Sequence, residues 1–313
     1  MPSISRARLL AGTSAVALGT LARPFPASAQ SVVPLRVGAG LIEANAEVHY
    51  ATDMGFFKAN GLDVATVTSN NGAASASAVA GGDLQIAVIS LIGFTLAVNR
   101  GLPFSIIVPG GVYDSSVPGS GLVVASTSAY VNAKALNGKT IGVSVLKGLD
   151  QLLSSVLVDK NGGDSSTLKF VEVTPPTMVE ALNLGRIDTA YIDNPEFSLA
   201  KTRARVLGDG EAAIANSFVE TVWFASRDWL AKNGDVARRF RESIYTAGDW
   251  AMANPDRAGT ILQAHLKVDQ PKATQHFATK KATTPASYQV LLDAAAKYGV
   301  LPPTNIKDLL WTG

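Results

Sequence analysis

Residues 69–77, SNNGAASAS, are all small or polar in a chain that is 47% hydrophobic. They separate the strand-like LDVATVT from the hydrophobic LQIAVIS. Such a run suits the start of a helix, where the first N–H groups lack intrahelical partners and carry partial positive charge. Small residues at that point let anionic or carbonyl oxygens of a ligand approach the backbone directly. Asn70 or Asn71 is expected to cap this helix, Gly72 to permit close approach and Ser75 to add a hydroxyl, while residues 76–80 pack on the sheet.

A second centre is Asp193-Asn194-Pro195, which ends the strand-like IDTAYID. A carboxylate facing a cleft is costly to desolvate unless a donor or cation meets it. Asp193 therefore calls for a ligand N–H or ammonium, for Lys147, for an arginine from elsewhere in the chain, or for water. Glu43 raises the same question, although in the first turn of a helix it also complements the dipole. Asn194, Ser90, Ser144 and Lys147 complete the rim candidates. Trp223, in ETVWFAS, either stacks on a planar ligand or fills a core, and strand alternation leaves both open. Glu43 and Asp193 together point to a ligand bearing N–H groups, with an acidic group for the SNNGAASAS end. Amino-sulfonates, pyrimidines and amidic compounds all fit.

Nothing in the chain reads as catalytic machinery. G-x-S-x-G, the P-loop and H-E-x-x-H are absent, and His49, His265 and His276 are widely spaced. The reading is therefore of a binding protein with no cofactor, no metal and no enzymatic activity. His49 is expected to be a core or surface histidine.

The elements that must hold these residues alternate. Strands are expected at 35–39, 62–68, 84–90 and 104–108, with helices at 43–60, from SNNGAASAS to Gly81-Gly82, and at 92–100. This is a βαβαβαβ order, which implies a largely parallel sheet wrapped by helices. GGVYDSSVPGSG (110–121) reads as loop. A second series then follows, with strands at 122–126, 139–144, 168–173 and 187–193 and helices at 149–160 and 177–184. Residues 219–225 read as a strand returning to the first sheet, and the chain from Ala231 onward as almost wholly helical. The fold class is α/β in two lobes: 30–115 plus 215–313 as a discontinuous first lobe and 116–214 as the second, joined by two chain crossings. Open α/β sheets bind ligands at the carboxyl ends of their strands, and there the rim candidates lie.

Residues 1–29 read as a secretory signal: Arg6 and Arg8, an apolar run from Leu9 to Leu21, and Ala27-Ser28-Ala29 before a cleavage near Gln30. Cleavage removes three of 27 basic residues, leaving 24 against 25 acidic ones, a net charge of about −1. No basic cluster marks a nucleic-acid or lipid surface. With no cysteine, an exported chain has neither disulfides nor a lipid-attachment thiol, so a freely soluble monomer is expected.

Four stretches in order resemble the exported solute-binding proteins of ABC importers in the nitrate, sulfonate, taurine and thiamine-precursor group, known as NMT1/THI5-like. They are YATDMGFFKANGLDV (50–64), Ala80-Gly81-Gly82-Asp83 before LQIAVIS, LNGKTIGV (136–143) and ALNLGRIDTA (181–190). The resemblance implies a periplasmic binding protein fold of the second type, with ligand captured between lobes that close about the hinge. It also implies periplasmic residence, and delivery to a membrane permease with its ATPase as the sole contact with the membrane. Relatives often carry an aromatic residue followed by Asp-Pro where this chain has Asp193-Asn194-Pro195, a departure that speaks against an aliphatic sulfonate. Two alternatives remain open: a sensor presenting its closed form to a membrane receptor or kinase, and an enzyme like the fungal thiamine-pyrimidine synthases of this fold. The missing cysteine-rich motif disfavours the enzyme.

Overall fold

The computed structural model describes residues 32–69, 71–194, 196–267, 271–280 and 283–313. The leading segment, Asn70 and Pro195 lie outside them. The chain runs β1 (Val33–Ala39), α1 (Glu47–Asp53), α2 (Phe56–Ala59), β2 (Leu62–Thr68), α3 (Gly72–Gly81), β3 (Ile86–Ser90), α4 (Leu91–Asn99) and β4 (Phe104–Pro109). β1 pairs in parallel with β2 and with β3, as the alternation implied. The expected helix over 43–60 is broken. A 3-10 turn at Glu43–Asn45 precedes α1, and Gly55, at φ +74°, separates α1 from α2. That left-handed step carries no side-chain penalty in glycine. Beyond it, Phe57 stacks on Phe240 with ring centroids 5.5 Å apart.

Next come β5 (Gly111–Asp114), β6 (Ser120–Ala125), β7 (Thr140–Val143), α5 (Leu149–Lys160), β8 (Lys169–Glu172), α6 (Pro175–Asn183), β9 (Thr189–Asp193), α7 (Glu196–Ala200) and β10 (Ala204–Gly208). A second sheet of order β10-β6-β9-β7-β8 results, parallel through β7 and antiparallel at β6 and β10. The chain returns through β11 (Ser217–Val219) and β12 (Thr221–Ser226), then α8 (Arg227–Lys232), α9 (Gly234–Ala253), α10 (Pro255–Leu266), β13 (His276–Phe277) and α11 (Pro285–Lys297).

Three expectations are corrected here. The first sheet is ordered β2-β1-β3-β12-β4, so the returning β12 separates β3 from β4 and runs antiparallel to both. Its Val222, Trp223, Phe224 and Ala225 are fully buried, which is why the sheet takes it in centrally rather than at an edge. The supposed loop after residue 110 contains β5, which pairs with β11 on one side and β13 on the other. Gly111 permits this, since a Cβ there would stand 2.9 Å from the Ala44 Cβ. The C-terminal region includes β13 and is not helical throughout.

Each sheet is covered on both faces. Trp223, Phe57 and Phe240 pack on one side of the first, and Phe94, Phe104 and Phe224 on the other. Leu122, Leu153 and Tyr191 flank the second, opposite Val123, Met178 and Phe197. Burying each large side chain contributes about 1.5–3 kcal/mol, so neither lobe needs a disulfide.

Candidate functional site

A cavity of about 830 Å³ lies where the carboxyl ends of β1, β2 and β3 face those of β7, β8 and β9, with β5 and the 211–221 return segment as its floor. Asn71, Gly72, Ser75, Ser90, Ser144, Lys147, Asp193 and Asn194 all line it. Glu43 and Trp223 do not.

On the first wall, Asn71 caps α3, its side-chain oxygen accepting from Ala74 N–H at 2.9 Å. That leaves the Gly72 and Ala73 N–H groups without intrahelical partners. Gly72 lines the cavity, and a Cβ there would touch the Ile89 side chain at 3.4 Å. Ser75 is buried and donates to Ser69 Oγ at 2.8 Å, bracing the turn. Ser90 caps α4 by accepting from Gly93 N–H at 3.1 Å. Two helix N-termini therefore converge on this wall, both preceded by β-strands whose ends fix their direction.

On the second wall, the Ser144 N–H and hydroxyl both donate to Asp150 Oδ2, which holds that carboxylate at the first turn of α5. Lys147 sits on the rim at φ +57°, its N–H donating to Gln151. Asp193 ends β9, and its carboxyl is pushed well above the usual range by burial, then by the charges of Asp150, Glu220 and Glu196. Asn194 is buried. Its Oδ1 accepts from Ser198, and its Nδ2 donates across the cleft to Thr274 Oγ1 at 3.3 Å.

The two remaining candidates have structural work. Glu43 is 1% exposed and accepts from Thr274 N–H at 2.5 Å and Gln275 N–H at 2.9 Å, so it holds the floor segment rather than a ligand. Trp223 stands edge-on to Phe240 with centroids 5.5 Å apart and donates its Nε1–H to Glu47 Oε2 at 3.3 Å. Core packing wins because both faces of β12 are covered here, Trp223 on one and Phe224 on the other. His49 is buried outside the cavity, stacked on His265 at 4.4 Å.

The floor supplies residues the sequence reading missed. Ser120 donates to Glu211 Oε2, Tyr191 Oη lies 3.0 Å from Ser120 Oγ, and Gln275 donates to Glu220 Oε2 at 3.3 Å. Burial raises the carboxyls of Asp150, Glu211 and Glu220; the charge of Glu220 raises Glu211 further, whereas Glu211 and Gln275 partly offset the rise at Glu220. The only sequence signal for Glu211 and Glu220 was their place before and at the start of the strand expected to return to the first sheet. Asn45, also buried on the cavity wall, had no signal beyond following β1.

Two α/β lobes around a cleft at their strand ends define a periplasmic binding protein fold. The alkanesulfonate-binding protein SsuA from Xanthomonas axonopodis pv. citri, bound to MOPS, superposes at a TM-score of 0.73 with 17% identity, over 90% of this chain and 99% of that one. Residues 44–258 match the family described as NMT1/THI5 like, and the chain belongs to that family. It is 27% identical over 207 residues to the taurine-binding periplasmic protein of Escherichia coli (strain K12), across 65% of this chain and 62% of that protein. The same fold appears in the desulfurization enzyme DSZB, at a TM-score of 0.65 and 15% identity over 89% of this chain and 96% of that one. Fold alone therefore does not choose between binding and turnover, and the site must.

Proposed function

We propose that the protein is the extracytoplasmic solute-binding component of an ABC importer, capturing a small polar organic ligand that bears N–H groups and delivering it to a membrane permease. The observation that carries this is the opposition, across one cavity, of two capped helix N-termini and a set of carboxyls with raised proton affinity. One wall suits ligand oxygens and the other suits ligand N–H donors, which is the polarity of an amino-sulfonate, amide or pyrimidine. Lobes spanning 30–115 plus 215–313 and 116–214 would close about β5 and β11, with affinity for the closed state shifting the population. Residues 1–29 are read as the export signal that places the protein in the periplasm. On this reading the site holds its ligand without transforming it, with Ser90 engaged in the α4 cap and Ser120 and Ser144 in bonds to buried carboxyls.

Thermal unfolding against a panel of taurine, alkanesulfonates, nitrate, pyrimidines and amides tests this. A ligand at about 100 times its Kd adds about 2.7 kcal/mol, a shift of several degrees. Gly72→Val should abolish that shift while leaving the unliganded midpoint nearly unchanged. A shift that survives in Gly72→Val would place binding outside the cleft and overturn the reading.

A further inference from the structure

Glu211 is 1% exposed and lines the cavity floor. Ser120 occupies its Oε2, and its Oε1 has no hydrogen-bond donor. Glu220, which also lines the cavity, lies close enough for the two carboxyls to bear on each other's proton affinity. Two carboxyls buried side by side favour holding one proton between them over carrying two charges. Among the described residues, the ion pairs involve Asp53, Asp114, Asp235 and Glu242, and none reaches Asp150, Asp193, Glu211 or Glu220. His276, a basic group lining the cavity, has its Nδ1 on Asp114 at 3.1 Å.

A second acceptor is stranded on the opposite wall. Asn45 is 5% exposed, lines the same cavity, and its Oδ1 has no donor. Leaving a buried acceptor unmade is costly, and both vacancies ask for N–H donors. The rim above them is apolar and open to solvent: Leu41 on one side and Val117, Val145 and Leu146 on the other are 37–45% exposed. An apolar ligand body would cover them.

We propose that the cleft selects an organic cation, a protonated amine or amidine on an apolar body, whose N–H donors replace the proton shared by Glu211 and Glu220. This rests on the proposed role of the cleft as the solute site, and it narrows the ligand from N–H-bearing to cationic. In the exchange the carboxyl O–H bond breaks, its proton leaves to solvent, and the pair passes from one negative charge to two as the cation arrives. Affinity accordingly rises with pH while the ligand stays protonated. The surroundings hold the pair to this behaviour. Asp209 adds negative charge from the β10–β11 side, its Oδ2 engaged by Tyr113 of β5. Asp193 of β9 faces Glu211, and Asp150 of α5 and Glu196 of α7 face Asp193 in turn. Ser120 of β6, Tyr191 of β9 and Gln275 supply neutral hydrogen bonds, and the His276–Asp114 pair closes the floor.

Calorimetric titration with butylamine, benzamidine, butanesulfonate and taurine, at about pH 6 and pH 8 in buffers of different ionisation enthalpy, tests the proposal. The cations should bind more tightly than butanesulfonate, gain up to about tenfold affinity per pH unit, and release about one proton. Glu211→Gln should weaken the cations at least tenfold and flatten their pH dependence, yet raise the unliganded thermal midpoint at pH 8, a gain that misfolding would not produce. If butanesulfonate binds more tightly than butylamine, loses its site in Gly72→Val and ignores Glu211→Gln, the cleft reading stands and the cation proposal falls. The proposal also falls if neither cation yields heat at either pH. If binding of every probe is indifferent to both Gly72→Val and Glu211→Gln, the cleft reading itself fails.

Discussion

His49 shows how one buried side chain sets the acid limit of stability. Burial first, then the neighbouring His265, lowers its pKa from 6.5 to about 4, partly offset by Asp53. Its Nε2 is buried without a partner. The folded protein therefore keeps this ring neutral at pH values where the unfolded chain is protonated, and stability falls as pH drops from about 6.5 toward 4. The difference amounts to roughly 3 kcal/mol. Unfolding midpoints of His49→Phe should lose most of that acid sensitivity. The floor carboxyls act with the opposite sign. With folded proton affinity above the unfolded value, their stabilisation is complete in mild acid and is lost as pH rises through the raised pKa. At the residue scale the sequence spoke clearly for Asn71, Gly72 and Asp193, whose types announce a cap, a close approach and a charge. It misplaced Glu43 as a ligand candidate and left Trp223 open, because which way a side chain turns depends on neighbours far along the chain.

At the scale of elements, α3 is the clearest case. Its ten residues are all small apart from Val79, it has an Asn at the N-cap and Gly82 in the left-handed conformation at its end, and both termini were legible. Asn71→Ala should cost about 1 kcal/mol, read as a drop of a few degrees in the thermal midpoint. Ligand affinity should fall as well, since the cap fixes the first turn that faces the cavity. The helix expected over 43–60 was less legible. Apolar spacing ran through Gly55 without a visible stop, and only the docking of Phe57 on Phe240, from a helix nearly two hundred positions away, shows why the chain turns there. The strands β5 and β13 were missed for a related reason: four- and two-residue strands carry almost no periodicity, and they exist because each other's edges, and that of β11, are there to pair with.

For the whole molecule, the junction between lobes is held by contacts distant in sequence. Glu43 grips Thr274 and Gln275, and Thr274 in turn receives Asn194 from the second lobe. Glu43→Ala would strand two backbone N–H groups, and urea unfolding should show a loss of about 2–4 kcal/mol. A small change would instead mean that solvent reaches this segment freely. The sequence by itself determined the α/β class, the order of most elements, the family, and the helix N-terminus at SNNGAASAS. Those follow from local signals: apolar period, small residues and glycine punctuation. Only the tertiary structure decided that β12 enters the middle of the first sheet, that Trp223 belongs to the core, and that Glu211 and Glu220 meet without a cation. These depend on the chain returning from one lobe to the other, and no local pattern records which buried charges such a return will bring face to face.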